Sequence, residues 1–79
     1  MKKPWRDMKY NDFLDCWMVF WDNGKSDYKL RCGDSFELHL GDGKRLVCRI
    51  ELGSDWYILM GQNDTKFYLK PNETYQVNI

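Results

Sequence analysis

Apolar and polar side chains alternate with a period of two through most of this chain, and turn-forming residues interrupt the alternation at short intervals. A period of two puts every second side chain on the same face of an extended strand, so the pattern calls for strands with one face in a core. The clearest instance is Phe36-Glu37-Leu38-His39-Leu40, which runs into Gly41-Asp42-Gly43-Lys44 as a tight turn. Leu46-Val47-Cys48-Arg49-Ile50-Glu51-Leu52 then places Leu46, Cys48, Ile50 and Leu52 on one face, and the two runs are expected to pair as a hairpin. Gly53-Ser54-Asp55 turns the chain into Trp56-Tyr57-Ile58-Leu59-Met60, and Gly61-Gln62-Asn63-Asp64 turns it again.

Further strands are expected on both sides of this block. Cys16-Trp17-Met18-Val19-Phe20-Trp21 is an unbroken apolar run ending at Asp22-Asn23-Gly24, whose Asn-Gly dipeptide is a hairpin signal, and Tyr28-Lys29-Leu30-Arg31-Cys32 alternates again as its partner. Lys66-Phe67-Tyr68-Leu69-Lys70, the turn Pro71-Asn72-Glu73-Thr74, and Tyr75-Gln76-Val77-Asn78-Ile79 complete the pattern. The expected fold is all-β: a small SH3-like barrel or compact sandwich of about six or seven short antiparallel strands, a usual solution to exposed sheet edges. Residues 1–79 read as one domain, with 16–79 as the β core and 1–15 as a lead-in. Pro4 at a first helical position and apolar groups at Trp5, Met8 and Phe13 suggest a short helix or an irregular segment there.

A chain of 79 residues buries only roughly 60% of the surface that its unfolded form exposes, so stability must come from a dense core. Four Trp, five Tyr and four Phe supply large apolar groups for one. Twelve basic and twelve acidic side chains cancel, leaving no long-range field toward phosphate or anionic lipid. Nucleic acid is therefore not the favoured partner. Cys16, Cys32 and Cys48 leave one thiol unpaired however the others bridge, which suits a reducing cytosol. Lys2 and Lys3 lead into Pro4-Trp5-Arg6-Asp7 and not into an apolar signal-peptide region, and no run approaches a membrane span. The expected location is cytoplasmic.

Catalysis by acid and base needs titratable groups held close together, and the only histidine is His39, expected on the polar face of a strand near Glu37 and Arg49. A solvated cross-strand cluster explains these residues better than an oriented general base. Cys16, Cys32, Cys48 and His39 are zinc-ligand types, but the alternation turns Cys48 and Cys32 inward, with Ile50 and Leu30, and His39 outward. No catalytic residue, metal site or cofactor is assigned. Cys32-Gly33-Asp34 reads as a bend that enters the next strand and can aim the Asp34 carboxylate outward.

Leu30-Arg31-Cys32-Gly33-Asp34-Ser35-Phe36-Glu37-Leu38, Cys48-Arg49-Ile50-Glu51, Asp55-Trp56-Tyr57-Ile58 and the closing Tyr75-Gln76-Val77-Asn78-Ile79 resemble a family of short bacterial domains of unknown function, family 5348. The resemblance runs from about Phe13 to Ile79. Met1 to Asp12 have no counterpart in it, and the turn Gly41-Asp42-Gly43-Lys44-Arg45 lacks a Trp expected there. It implies a small protein carried on mobile elements, with no activity or functional residues to transfer.

Both faces are apolar in Trp17-Met18-Val19-Phe20-Trp21 and in Trp56-Tyr57-Ile58-Leu59-Met60, which a one-sided sheet does not require. The second face needs cover from the N-terminal segment, a second copy of the chain, or a partner. The expected function is that of a small non-enzymatic binding module for another protein, an inhibitor or adaptor of a phage or mobile element. Met18, Phe20, Tyr57, Asp34 and Arg49 are the candidate partner-binding residues. The alternative is a single-stranded nucleic-acid binder with Arg45, Arg49, Lys66 and Lys70 as a basic rim, and a small nuclease is a remote third.

Overall fold

Each alternating run forms a strand. The computed structural model describes residues 5–20 and 27–79. It contains β1 (Arg6–Asn11), β2 (Cys16–Phe20), β3 (Asp27–Lys29), β4 (Ser35–Gly41), β5 (Lys44–Leu52), β6 (Trp56–Met60), β7 (Thr65–Tyr68) and β8 (Tyr75–Asn78). All pairings are antiparallel, in one open sheet ordered β3-β2-β1-β8-β4-β5-β6-β7. The expected Asp22-Asn23-Gly24 turn, and Trp21 before it, lie outside the described residues.

Turn chemistry fixes the registers. Gly41 pairs with Lys44 across Asp42-Gly43, whose φ values of 53° and 73° are those of a type I′ turn, the two-residue loop that matches strand twist. The β1–β2 hairpin joins Asn11 to Cys16 through a longer loop. The Asn11 side chain accepts the Leu14 N–H at 3.0 Å, and Asp15 takes the left-handed conformation at φ 51°, which Asp tolerates better than most residues.

This hairpin corrects the expected lead-in. Residues 6–11 form neither helix nor irregular segment but an inner strand between β2 and β8, which brings the strands among the described residues to eight. Met8 is fully buried with Trp17, Val19, Phe36, Ile50, Ile58 and Val77 in the core. Apolar spacing at Trp5, Met8 and Phe13 suggested a helical period, whereas the operative pattern is Asp7-Met8-Lys9-Tyr10-Asn11, with Met8 facing inward.

The sheet curls on itself. In a flat sheet β2 and β6 would stand five strand spacings apart, about 24 Å. Instead the Trp56 indole N–H donates to Asp15 Oδ1 at 3.4 Å, at the β2 end of the hairpin loop, and residues from β2 and β6 share one core. The sheet is open, and no ladder joins β3 to β7 among the described residues. The strands therefore have an inner face, with Phe36, Leu38, Cys48, Ile50 and Ile58, and an outer face that includes Glu37, Arg49, Tyr57 and Leu59.

Cys32 departs from the expected inward orientation. The alternation ends with β3 at Lys29, and Gly33 at φ 92° bends the chain, so Leu30 is buried while Cys32 is exposed. Cys16 and Cys48 are buried, and burial pushes the Cys48 thiol up to about 11 against a smaller opposite pull from a backbone hydrogen bond at Leu38. A disulfide-exchange reagent is therefore expected to modify Cys32 rapidly in the folded protein and Cys16 and Cys48 only after unfolding. Mass spectrometry of the time course checks this, and rapid labelling of Cys48 would contradict its burial.

Candidate functional site

The outer face of β5, β6 and β7 gathers residues that are separate in sequence. Glu51 pairs with Tyr57, Tyr57 with Tyr68, and Leu59 with Lys66, so the register lines them up side by side. The Tyr57 and Tyr68 rings meet edge to face with centroids 5.7 Å apart. The Lys66 ammonium stands 4.5 Å from the Tyr57 centroid and 5.5 Å from that of Tyr68. Two ion pairs flank this cluster: Arg49 Nε to Glu51 at 2.7 Å and Arg45 Nε to Glu37 at 3.5 Å. Val47, between the arginines on β5, is 61% exposed. The result is an apolar and aromatic patch among nearly balanced charges.

The sequence-derived candidates fall into separate places. Tyr57 and Arg49 belong to this patch, Tyr57 half-buried and pointing away from the core that holds Ile58. Met18 and Phe20 lie on β2, across the sheet. Met18 is buried, with Cys16 Sγ 3.5 Å from its sulfur and with Lys9 and Lys29 as cross-strand neighbours, while Phe20 is half-buried under the Lys9 ammonium, 5.8 Å from its ring centroid. Asp34 is occupied within the chain: its Oδ2 accepts the Arg31 backbone N–H at 2.9 Å and the Tyr28 hydroxyl at 3.0 Å. That second bond is the main cause of the raised pKa of Tyr28. Of the basic rim, Arg45, Arg49 and Lys66 lie on the outer face, and Lys70 lies beyond the end of β7.

The residues considered for chemistry are spread apart. His39 lies against the Trp5 ring with centroids 4.7 Å apart, while Glu37 meets Arg45. No group of three or more His, Cys, Asp and Glu among the described residues could hold a metal ion.

Sequence reasoning missed a second feature. The curl leaves a cavity of about 250 Å³ between the β1–β2 hairpin and the ends of β5, β6 and β7. Tyr10, Trp17, Trp56 and Tyr68 line it, together with Asp15 and Asp55. Asp15 Oδ1 accepts the Tyr10 hydroxyl at 2.5 Å and the Trp56 indole N–H at 3.4 Å. This hydrogen bond, then desolvation, then the nearby negative charge push the Tyr10 phenol up to about 12, so it remains a donor. The wall residues come from distant stretches of sequence, so no local motif announces the cavity. Phe13, in the loop of the same hairpin, is 92% exposed.

A family model described as Domain of unknown function (DUF5348) matches residues 6–79, nearly the whole chain. The chain belongs to this family. The match begins ahead of Phe13, and thus takes in β1, which the sequence resemblance had left without a counterpart. No curated protein and no solved structure matches this DUF5348 chain. No helix among the described residues is long and apolar enough to cross a membrane.

Proposed function

We propose that this DUF5348 chain is a small non-enzymatic binding module that docks a protein partner on the outer face of β5, β6 and β7. The observation that carries this reading is the Tyr57–Tyr68 pair, with Lys66 above it and ion pairs on its flanks. Aromatic groups at the centre and charged groups at the rim are the anatomy of protein interfaces, and Tyr and Arg supply much of their binding energy. Nucleic acid fits this face less well, because Arg45 and Arg49 are already matched by Glu37 and Glu51 and the phosphate-attracting field is small. The mobile-element setting implied by the sequence resemblance makes the proposed role that of a phage or plasmid accessory protein acting on a host protein in the cytoplasm.

Replacing Tyr57 with Glu tests the proposal. The substitution removes one edge-to-face contact and one cation–π contact, together about 1–2 kcal/mol, less than a core truncation costs. The variant is expected to keep a cooperative urea transition while losing capture of its partner from nuclease-treated host lysate. Unfolding of the variant, or undiminished capture, would sink the proposal. Tight binding of the parent protein to a single-stranded oligonucleotide at physiological salt would favour base stacking on the same two tyrosines.

A further inference from the structure

The cavity combines two kinds of group that attract the same ligand chemistry. The faces of Trp and Tyr rings carry negative potential and draw cations, most strongly where water is excluded. Asp15 and Asp55 add carboxylates, and no basic side chain among the described residues lines the space. Asp15 has no cationic partner among the described residues, since its contacts are the donors on Tyr10 and Trp56. Those two bonds fix its carboxylate beside the rings and leave Oδ2 available. The volume, about 250 Å³, is below the roughly 300–1,000 Å³ of sites for drug-sized ligands and suits a side-chain-sized group.

We propose that this cavity binds an organic cation, an alkylammonium group held against Trp56, Tyr10 and Tyr68 and paired with Asp15. The site is distinct from the outer docking face, and Tyr68 touches both. A neutral apolar occupant of the same shape would gain contact with the rings but nothing from the carboxylates. A cation therefore binds in preference to its neutral isostere. Two sources carry this chemistry: a lysine side chain on a partner protein and a free quaternary ammonium compound.

The test follows the indole N–H signals of the full chain in proton–nitrogen correlation spectra. Three probes are titrated: choline, its neutral isostere with carbon in place of nitrogen, and a short blocked peptide bearing one lysine. At least one cationic probe is expected to shift the Trp56 and Trp17 signals saturably, with the neutral isostere binding about tenfold or more weakly. A larger response to the lysine peptide assigns the site to a protein ligand, and a larger response to choline assigns it to a small molecule. Asp15→Asn keeps an acceptor for Tyr10 and Trp56 and a residue type that tolerates φ 51°, so it is expected to fold and to abolish the preference for charge. Asp55→Asn, at an exposed position, gives a second reading of the charge effect should Asp15→Asn unfold. Equal binding of choline and its neutral isostere, or no saturable shift with either cation, would overturn the proposal. Because Tyr57 is not one of the residues that line the cavity, spectra of Tyr57→Glu separate failure of this site from failure of the outer face.

Discussion

A chain lacking residues 1–12 is expected to be unfolded, with no cooperative transition in urea and no native β signal in circular dichroism. β1 lies between β2 and β8 and pairs with both, so its removal breaks two ladders and detaches β2 and β3 from the rest of the sheet. It also strips Met8 from the core, leaving Trp17 and Val19 facing a gap. A point version is Met8→Ala, expected to lose about 2–5 kcal/mol, a large share of the roughly 4–12 kcal/mol that a chain of this length has available. Phe13→Ala, at the exposed tip of the same hairpin, is expected to change stability by no more than about 0.5 kcal/mol. A truncated chain that melts cooperatively would show that β1 is dispensable.

Trp17 carries the other large effect. Its ring is fully buried and packs between Tyr10 and Tyr75, with centroids 5.6 Å away on each side. Trp17→Ala is expected to lose about 3–5 kcal/mol, partly through the cavity it opens. Trp17→Phe should lose much less, about 1–2 kcal/mol. Phe retains an aromatic ring, and the buried Trp17 indole N–H has no hydrogen-bond partner among the described residues whose loss would add to the cost. Equal losses for the two variants in equilibrium denaturation would mean that the N–H makes a stabilising bond.

These residues also show which parts of the fold were legible in sequence. The β4–β5 hairpin could be read because Phe36 and Leu38 alternate with Glu37 and His39, and because Asp42-Gly43 supplies a turn of matching twist. β1 could not be recognised by the same means, since Trp5, Met8 and Phe13 offered a competing helical spacing and Arg6 occupies an inward register position. Cys32 was misplaced because alternation was extended past Lys29, where β3 ends, up to the bend at Gly33. The outward orientation of Tyr57 and Arg49 was readable from strand parity alone. Tyr68 and the cavity were not, because periodicity says which face a side chain takes and nothing about which strands become neighbours.

The strand order also has a consequence for how the protein is made. β1, early in the sequence, pairs with β8, about 70 residues later, and β8 joins β1 to β4. During synthesis, hairpins such as β4–β5 can form locally, but the sheet stays in two pieces until β8 has left the ribosome. Folding of this domain therefore waits on its last strand, and closing so distant a contact makes it slow for its size. Until then Trp17, Ile50 and Ile58 are without their full enclosure, so a stall shortly before β8 would leave a nascent chain that chaperones must shield.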